Sequence, residues 1–273
     1  MRPVRFAAVG TKVRLDALLA DRGLFASRTR AAASVLAGEV RLGADGRRAE
    51  KPGQLVDPDV AVVLDERPAY VSRGGVKLAN ALDALGIPVA GRRCLDVGAS
   101  TGGFTDVLLQ RGADHVVAVD VAYGELAWSL RNDERVTVRE RVNARELRCE
   151  QLPYRPDLVV CDVSFIGLAK VLPAVLACCA ERFDALALVK PQFEVGRERV
   201  GKGGVVRDPE ARRAALVAVA SAARGLDAAV LGFASSGLPG PKGNRETFVW
   251  LAEGGRPGAV EDLEAAAREV EPA

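Results

Sequence analysis

From Arg92 onward the chain alternates short apolar runs with stretches of helix-compatible sequence, and no other feature limits its fold so tightly. The runs are RCLDVG (93–98), HVVAVDV (115–121), VTVRERV (136–142), LVVCDVSF (158–165), LALVKPQF (186–193), AAVLGFA (228–234) and TFVWLA (247–252). Near-continuous apolar strands joined by crossover helices build a mainly parallel α/β sheet covered on both faces. Only SSGLPGPKGNRE separates the last two runs, which permits an antiparallel hairpin at the end.

The 273 residues suffice for one large and one small domain. No run reaches the roughly 18 apolar residues of a membrane span, and FAAV at 6–9 is too short for a signal-peptide core, so a cytoplasmic location is expected. The five cysteines form no C-x-x-C pair and the single histidine, His115, lacks a metal-binding motif; neither zinc nor a disulfide framework is expected. Cys94 and Cys161 read as buried structural thiols, and His115 as a surface residue at a strand start. Charge is asymmetric. Residues 1–51 hold eleven Lys/Arg against five Asp/Glu, a net of +6, which leaves −4 for the rest of a chain whose formal charge is +2. A basic module on a mildly acidic body suits a polyanion partner, and equally a solvated basic surface.

Within that module, Leu15, Leu18 and Leu19 recur at helical spacing, Gly23 stops the helix, and Ser27 can cap a second one running to about Ala37. Short strands EVRL (39–42) and VAVVL (60–64) follow, with Asp45-Gly46 as a turn signal between them. Arg14, Arg28, Arg30, Arg41 and Arg47 could lie along a phosphate backbone. The succession R-L-D-x-L-L, G-L-x-x-S-R, A-G-x-V and K-P-G between Arg14 and Gly53 resembles the S4 RNA-binding domain. The resemblance implies that Arg14, Ser27, Arg28 and Arg30 contact RNA; salt bridging of Arg14 and Arg28 to Asp16 or Asp21 is the alternative.

In the large domain the first strand runs into a turn with Gly98, Gly102 and Gly103, where glycines let the backbone approach a ligand. The dinucleotide pattern G-x-G-x-x-G is absent, and Asp96 adds negative charge beside the turn. Asp120 closes the second strand, where an acid can take ribose hydroxyls. A nucleoside cofactor without phosphate and with a positive centre fits: S-adenosylmethionine, its methionine portion on the turn. Its expected contacts are Gly98, Ser100, Thr101, Gly102, Gly103, Phe104, Asp120 and Asp162, although core packing suits Phe104 and Phe165 better. GRERVGKG from Gly196 matches G-x-x-x-x-G-K but has Gly203 where a P-loop needs Ser or Thr. It reads as a flexible loop before a helix with Asp208 as cap and Pro209 in its first turn, its Arg197, Arg199, Lys202 and Arg207 available to RNA.

Four charges sit where a solvated surface does not require them: Lys77 ahead of the first strand, Asp162 and Lys190 at strand ends, and Glu246 at the start of the last. Strand ends gather at one edge of a parallel sheet, so Asp162 and Lys190 should face the same cleft as Gly98 and Asp120, and an antiparallel last strand would bring Glu246 to it. This arrangement resembles the Lys-Asp-Lys-Glu tetrad of FtsJ-like (RrmJ-type) ribose 2'-O-methyltransferases, over Lys77 to about Ala252. An S4-like module ahead of it, with SRGG-x-KL at the junction and DVGASTGGFT in the first turn, is similar to the TlyA family, some of whose members are labelled haemolysins.

The resemblance implies an S4-like module over 12–66, a linker over 67–75 and a seven-stranded, Rossmann-like, S-adenosylmethionine-dependent methyltransferase domain over 76–273. The linker's Tyr70 and Val71 could pass domain contacts to the active site. It further implies methylation of a cytidine 2'-hydroxyl in 16S or 23S ribosomal RNA, on free RNA or a ribosomal subunit, with no metal. Methyl transfer from a sulfonium to a hydroxyl needs positioning and removal of one proton. Lysine is a poor base at its usual pKa of about 10.4, but desolvation and a second cation lower it. Lys190 is thus the base or the steering group, with Lys77 beside it and Asp162 and Glu246 holding the ammoniums. A non-catalytic ribosome assembly factor is the competing reading; a membrane-lytic protein lacks an amphipathic basic helix to support it.

Overall fold

A computed structural model describes residues 11–36, 38–65 and 69–272, in two compact units divided between Pro68 and Ala69. FAAV at 6–9, Ala37 and linker residues 66–68 lie outside the described residues.

The small unit runs β1 (Val13–Arg14), α1 (Leu15–Asp21), α2 (Arg28–Leu36), β2 (Val40–Leu42), β3 (Arg47–Arg48), β4 (Leu55–Val56) and β5 (Val62–Leu64). The leucine spacing of α1 places Leu15 and Leu19 in a core with Ala31, Val35, Val40 and Val56, and Gly23, at φ 71°, ends the helical region. β2 pairs antiparallel with β3 and β5. β1 pairs with β4, a two-residue ladder too short to carry any period in the sequence.

The large unit opens with α3 (Arg73–Leu85), which begins inside the stretch expected to be linker. There follow β6 (Arg93–Val97), α4 (Gly103–Gln110), β7 (His115–Asp120), α5 (Trp128–Arg131), β8 (Val136–Glu140), β9 (Leu158–Cys161), α6 (Leu172–Ala177), β10 (Asp184–Val189), α7 (Pro191–Glu194), α8 (Pro209–Arg224), β11 (Ala228–Ser235), β12 (Thr247–Glu253) and α9 (Leu263–Val270). All seven apolar runs join one sheet in the order β11-β12-β10-β9-β6-β7-β8. β12 lies antiparallel to both β10 and β11; the other neighbouring pairs are parallel. Alternate residues of β10 serve opposite cores. Leu186 and Leu188 pack with Leu78 and Leu82 of α3 and Leu108 of α4, while Ala185 and Ala187 pack with Val175 of α6 and Leu216 and Val219 of α8.

Two expectations change. The β8–β9 connection holds only 3-10 turns at Ala144–Glu146 and Cys149–Gln151 in place of a crossover helix. His115 is half-buried: its Nε2 lies 2.8 Å from Thr137 Oγ1 and its ring packs edge-on to Tyr154, because the neighbouring strand covers the strand start. The loop at 196–204 forms a 3-10 turn and a Gly201–Val205 bridge, and Asp208 then caps α8 by accepting from Glu210 N at 3.1 Å.

Candidate active site

Parallel strands end on one edge of the sheet, so β6, β7, β9 and β10 deliver the glycine turn, Asp120, Asp162 and Lys190 there, and antiparallel β12 starts there with Glu246 just before it. A cavity of about 400 Å³ at this edge is lined by Lys77, Asp162, Lys190 and Glu246. The turn closes the same cavity with Gly98, Ser100, Thr101, Gly103 and Phe104. A second, of about 530 Å³, shares Gly98, Ser100 and Asp162 and adds Asp120, Glu125 and Asn143.

The four charges form two ion pairs. Lys77 Nζ donates to Glu246 Oε2 at 2.5 Å, with both side chains nearly withdrawn from water. Lys190 Nζ stands 2.5 Å from Asp162 Oδ1, a charge contact without hydrogen-bond alignment, and donates to Ser164 Oγ at 2.8 Å. Buried ion pairs are a weak source of stability, because desolvation offsets the attraction. A buried pair at Lys77–Glu246 beside the half-buried Lys190–Asp162 pair, both on one cavity, therefore points to chemistry rather than to scaffolding.

The turn is shaped by close backbone approach. Gly98 has φ 86°, and a Cβ there would stand 2.3 Å from the carbonyl oxygen of Asp162. Gly102 does not line either cavity: a Cβ on it would meet Leu130 Cδ1 of α5 at 2.3 Å, so packing demands this glycine. Asp120 binds the turn directly, accepting from Ser100 N and Ala122 N at 2.7 Å each. Beneath, Asp96 is fully buried; its Oδ2 accepts from Thr105 Oγ1 at 2.7 Å and its Oδ1 has no partner. Burial, reinforced by the Asp162 charge, pushes the Asp96 carboxyl up to about 7, although the Thr105 hydroxyl opposes it.

The aromatic residues divide. Phe104 is buried and packs on Phe248 at 5.8 Å while touching the first cavity. Phe165, expected in the core, is 92% exposed with φ 64°, held 5.3 Å from Phe193. A run of strand-like residues gave no sign that β9 stops at Cys161. Sequence reading also missed Glu125, Asn143 and Pro241 as lining residues; Ser72 and Arg73, missed as individuals, lie in the SRGG stretch that stood out. Tyr70 packs against Gly75, and Val71 N donates to Asp106 Oδ2 at 2.8 Å, both within the large unit.

In the small unit, Arg14 and Arg28 both reach Asp16, at 2.7 and 3.4 Å, so the salt-bridge alternative is realised while each guanidinium stays about half exposed. Arg14 holds the Asp16 carboxyl below the usual carboxylate range. Ser27 Oγ accepts from Arg30 N at 3.2 Å at the start of α2. Among the described residues no cluster of three or more His, Cys, Asp or Glu could hold a metal ion, and no helix is long and apolar enough to cross a membrane.

Residues 70–253 match the FtsJ-like methyltransferase family. The 16S/23S rRNA (cytidine-2'-O)-methyltransferase TlyA of Mycobacterium tuberculosis is 56% identical over 242 residues, covering 88% of this chain and 90% of the relative. Hemolysin A of Brachyspira hyodysenteriae is 40% identical, over 72% of this chain and 81% of its own. A solved structure from Streptococcus thermophilus, called a "putative hemolysin", superposes with a TM-score of 0.71 at 38% identity, covering 95% of this chain and 96% of that one. With its seven-stranded sheet and its match across residues 70–253, the chain belongs to the FtsJ-like methyltransferase family.

Proposed function

We propose that this protein uses S-adenosylmethionine to methylate a cytidine 2'-hydroxyl in ribosomal RNA. The observation that carries the reading is the junction of two cavities: one bears two lysine–carboxylate pairs, the other Asp120, and the glycine turn belongs to both. The residues suit the cofactor. Carboxylates at Asp120 and Asp162 match a ribose and a positive centre, and glycines leave the backbone of the turn open to the methionine portion.

Bound there, S-adenosylmethionine would supply an electrophilic methyl group. The chain's own task is to place a ribose hydroxyl in line with that group and to dispose of its proton. As the neutral amine Lys190 Nζ takes that proton and becomes the ammonium, or as the ammonium it donates to the hydroxyl oxygen and steers it; in either form Asp162 and Ser164 fix the position of Nζ. Lys77, clamped by Glu246, sets a second positive charge on the same cavity. The N-terminal unit acts as an S4-like RNA-binding module through Arg14, Ser27, Arg28 and Arg30, with the loop arginines at 197, 199 and 207 adding phosphate contacts. Its partner is ribosomal RNA, free or within a subunit, in the 16S or the 23S molecule or in both.

The test is methyl transfer from tritiated S-adenosylmethionine to separate 30S and 50S subunits lacking the modification. Label in alkali-resistant dinucleotides, absent with Lys190→Ala, is the expected result. No cofactor binding at all would instead support a non-catalytic assembly factor, and cofactor binding without label on either subunit would point to another RNA as substrate.

A further inference from the structure

All five cysteines are free thiols, and Cys149 alone among them is not buried. Its Sγ lies 2.7 Å from Sγ of Cys178, closer than two sulfurs that merely touch and within about 0.7 Å of a disulfide bond, whose length is about 2.05 Å. Two separate elements build this contact. Cys149 opens the 3-10 turn Cys149–Gln151 of the β8–β9 connection, and Cys178 caps the end of α6. Cys149 Sγ also stands 3.4 Å from the Ala177 carbonyl oxygen. Arg155 Nη1 donates to the carbonyls of Ala177 and Cys179 at 3.2 and 3.0 Å, which holds a guanidinium at the end of α6 beside the sulfurs. The thiols differ in reactivity. Burial, with the adjoining Cys149 thiol, pushes Cys178 up to about 12, so it stays protonated at neutral pH, whereas Cys149 is open to solutes. Cys179 turns away from the pair: it is buried and donates to the Val175 carbonyl at 3.6 Å.

We propose that Cys149 and Cys178 are an oxidisable dithiol, a modification site at which hydrogen peroxide joins them as an intramolecular disulfide. The Cys149 thiolate attacks one peroxide oxygen and the O–O bond breaks, leaving a sulfenic acid on Cys149 and a hydroxide. That hydroxide takes the Cys178 proton and becomes water. The Cys178 sulfur then attacks the Cys149 sulfur, the S–O bond breaks, and the departing hydroxide leaves as a second water with the proton first lost by Cys149. Two thiols and one peroxide thus give one disulfide and two waters, the sulfurs losing the two electrons that the peroxide oxygens gain. Because the resolving thiol is already in contact, the sulfenic acid is trapped before further oxidation. Where thiols are kept reduced, such a bridge is transient and answers to an oxidant. It has a structural consequence. The bridge fastens the connection that carries Asn143, Ala144 and Arg145 to the second cavity onto α6, whose N-cap residue Val171 lines that cavity too. Oxidation therefore stiffens one wall of that cavity.

The test treats the folded full chain with a few equivalents of hydrogen peroxide, removes the peroxide, and then counts free thiols in denaturant, with peptide mapping to locate any bridge. Wild type should lose two of its five thiols, with Cys149 linked to Cys178 inside one chain. It should also melt about 4–10 °C higher, because a cross-link between residues 29 positions apart restricts the unfolded chain. Dithiothreitol should reverse both changes. Cys179→Ser should still form the bridge, whereas Cys149→Ser and Cys178→Ser should form none and show no rise. Cys149→Ser, at the partly exposed position, decides the matter if the buried Cys178→Ser fails to fold. A wild-type count that stays at five, Cys149 oxidised to a sulfinic acid without a bridge, or a bridge through Cys179 or between two chains overturns the proposal. So does a bridge that leaves the melting temperature where it was or lowers it.

Discussion

The two edges of the large sheet carry similar charge sets put to different uses. At the amino edge, Arg92 reaches Asp157 and Asp184 at 2.9 and 3.0 Å, and Arg256 grips Glu253 at 2.6 Å while lying 3.5 Å from Asp184. Trp250 Nε1 completes Asp184 at 3.0 Å. Planar guanidiniums distribute their donors over several acceptors and leave little over. At the carboxyl edge the cations are lysines, each held on one carboxylate at 2.5 Å, and both face a cavity. A compact ammonium can turn its remaining donors, or a proton, toward something that enters. Residue type and adjoining space, rather than charge count, separate a clamp from a site.

Four variants sharpen or break this contrast. Lys190→Ala should lower methyl transfer by about 10²–10⁴-fold, the usual scale for a proton-transfer group, with little change in melting temperature. A large drop in stability instead would make Lys190 a clamp. Arg92→Ala should do the reverse: Asp184, buried and left with Arg256 and Trp250 as its partners, loses one hydrogen bond to a charged group, at a cost on the order of 1–3 kcal/mol in a denaturant titration, while turnover per folded molecule is kept.

The edges also respond oppositely to pH. The Arg256 guanidinium holds Glu253 down to about 2, so the amino edge loses stability as pH falls from the unfolded carboxyl value toward 2. Asp96 is shifted the other way, to about 7, so its contribution is complete below the unfolded value near 4 and is lost as pH rises through 7. Asp96→Asn should flatten that second limb and stabilise the fold at pH 8 by about 1–3 kcal/mol, read by thermal melts at pH 5 and pH 8. An unchanged limb would show that Asp96 is ionised in the fold. The smallest effect belongs to the small unit. Arg28→Ala with Arg30→Ala should weaken RNA binding several-fold and reduce the salt slope by about one for each phosphate that the variant leaves unneutralised. An unchanged slope would make these arginines partners of Asp16 and the surface only.

Much of this was legible because strand position encodes edge. Asp162 and Lys190 follow their strands and Asp184 begins one, so their opposite placements could be read from the order of residues alone. The seven apolar runs gave the sheet, and the short last connection gave the antiparallel strand. Other features left no periodic trace. Phe165 looks like strand core, yet the chain leaves the sheet after Cys161 and turns through a positive φ that exposes the ring. Gly102 reads as a ligand contact, and neither its φ of 95° nor the approach of Leu130 was legible in the sequence. Lys77 and Glu246 are 169 positions apart, and nothing local requires that they meet.

Sequence by itself determined the class of fold and the sheet edge to which the glycine turn, Asp120, Asp162 and Lys190 are delivered, because periodicity and strand polarity are local properties that survive in one dimension. Tertiary structure alone decided which lysine pairs with which carboxylate, which glycine serves packing, and which two thiols meet. Those outcomes depend on who lies opposite whom across the folded chain, and therefore on distances and desolvation that exist only once the layers have closed.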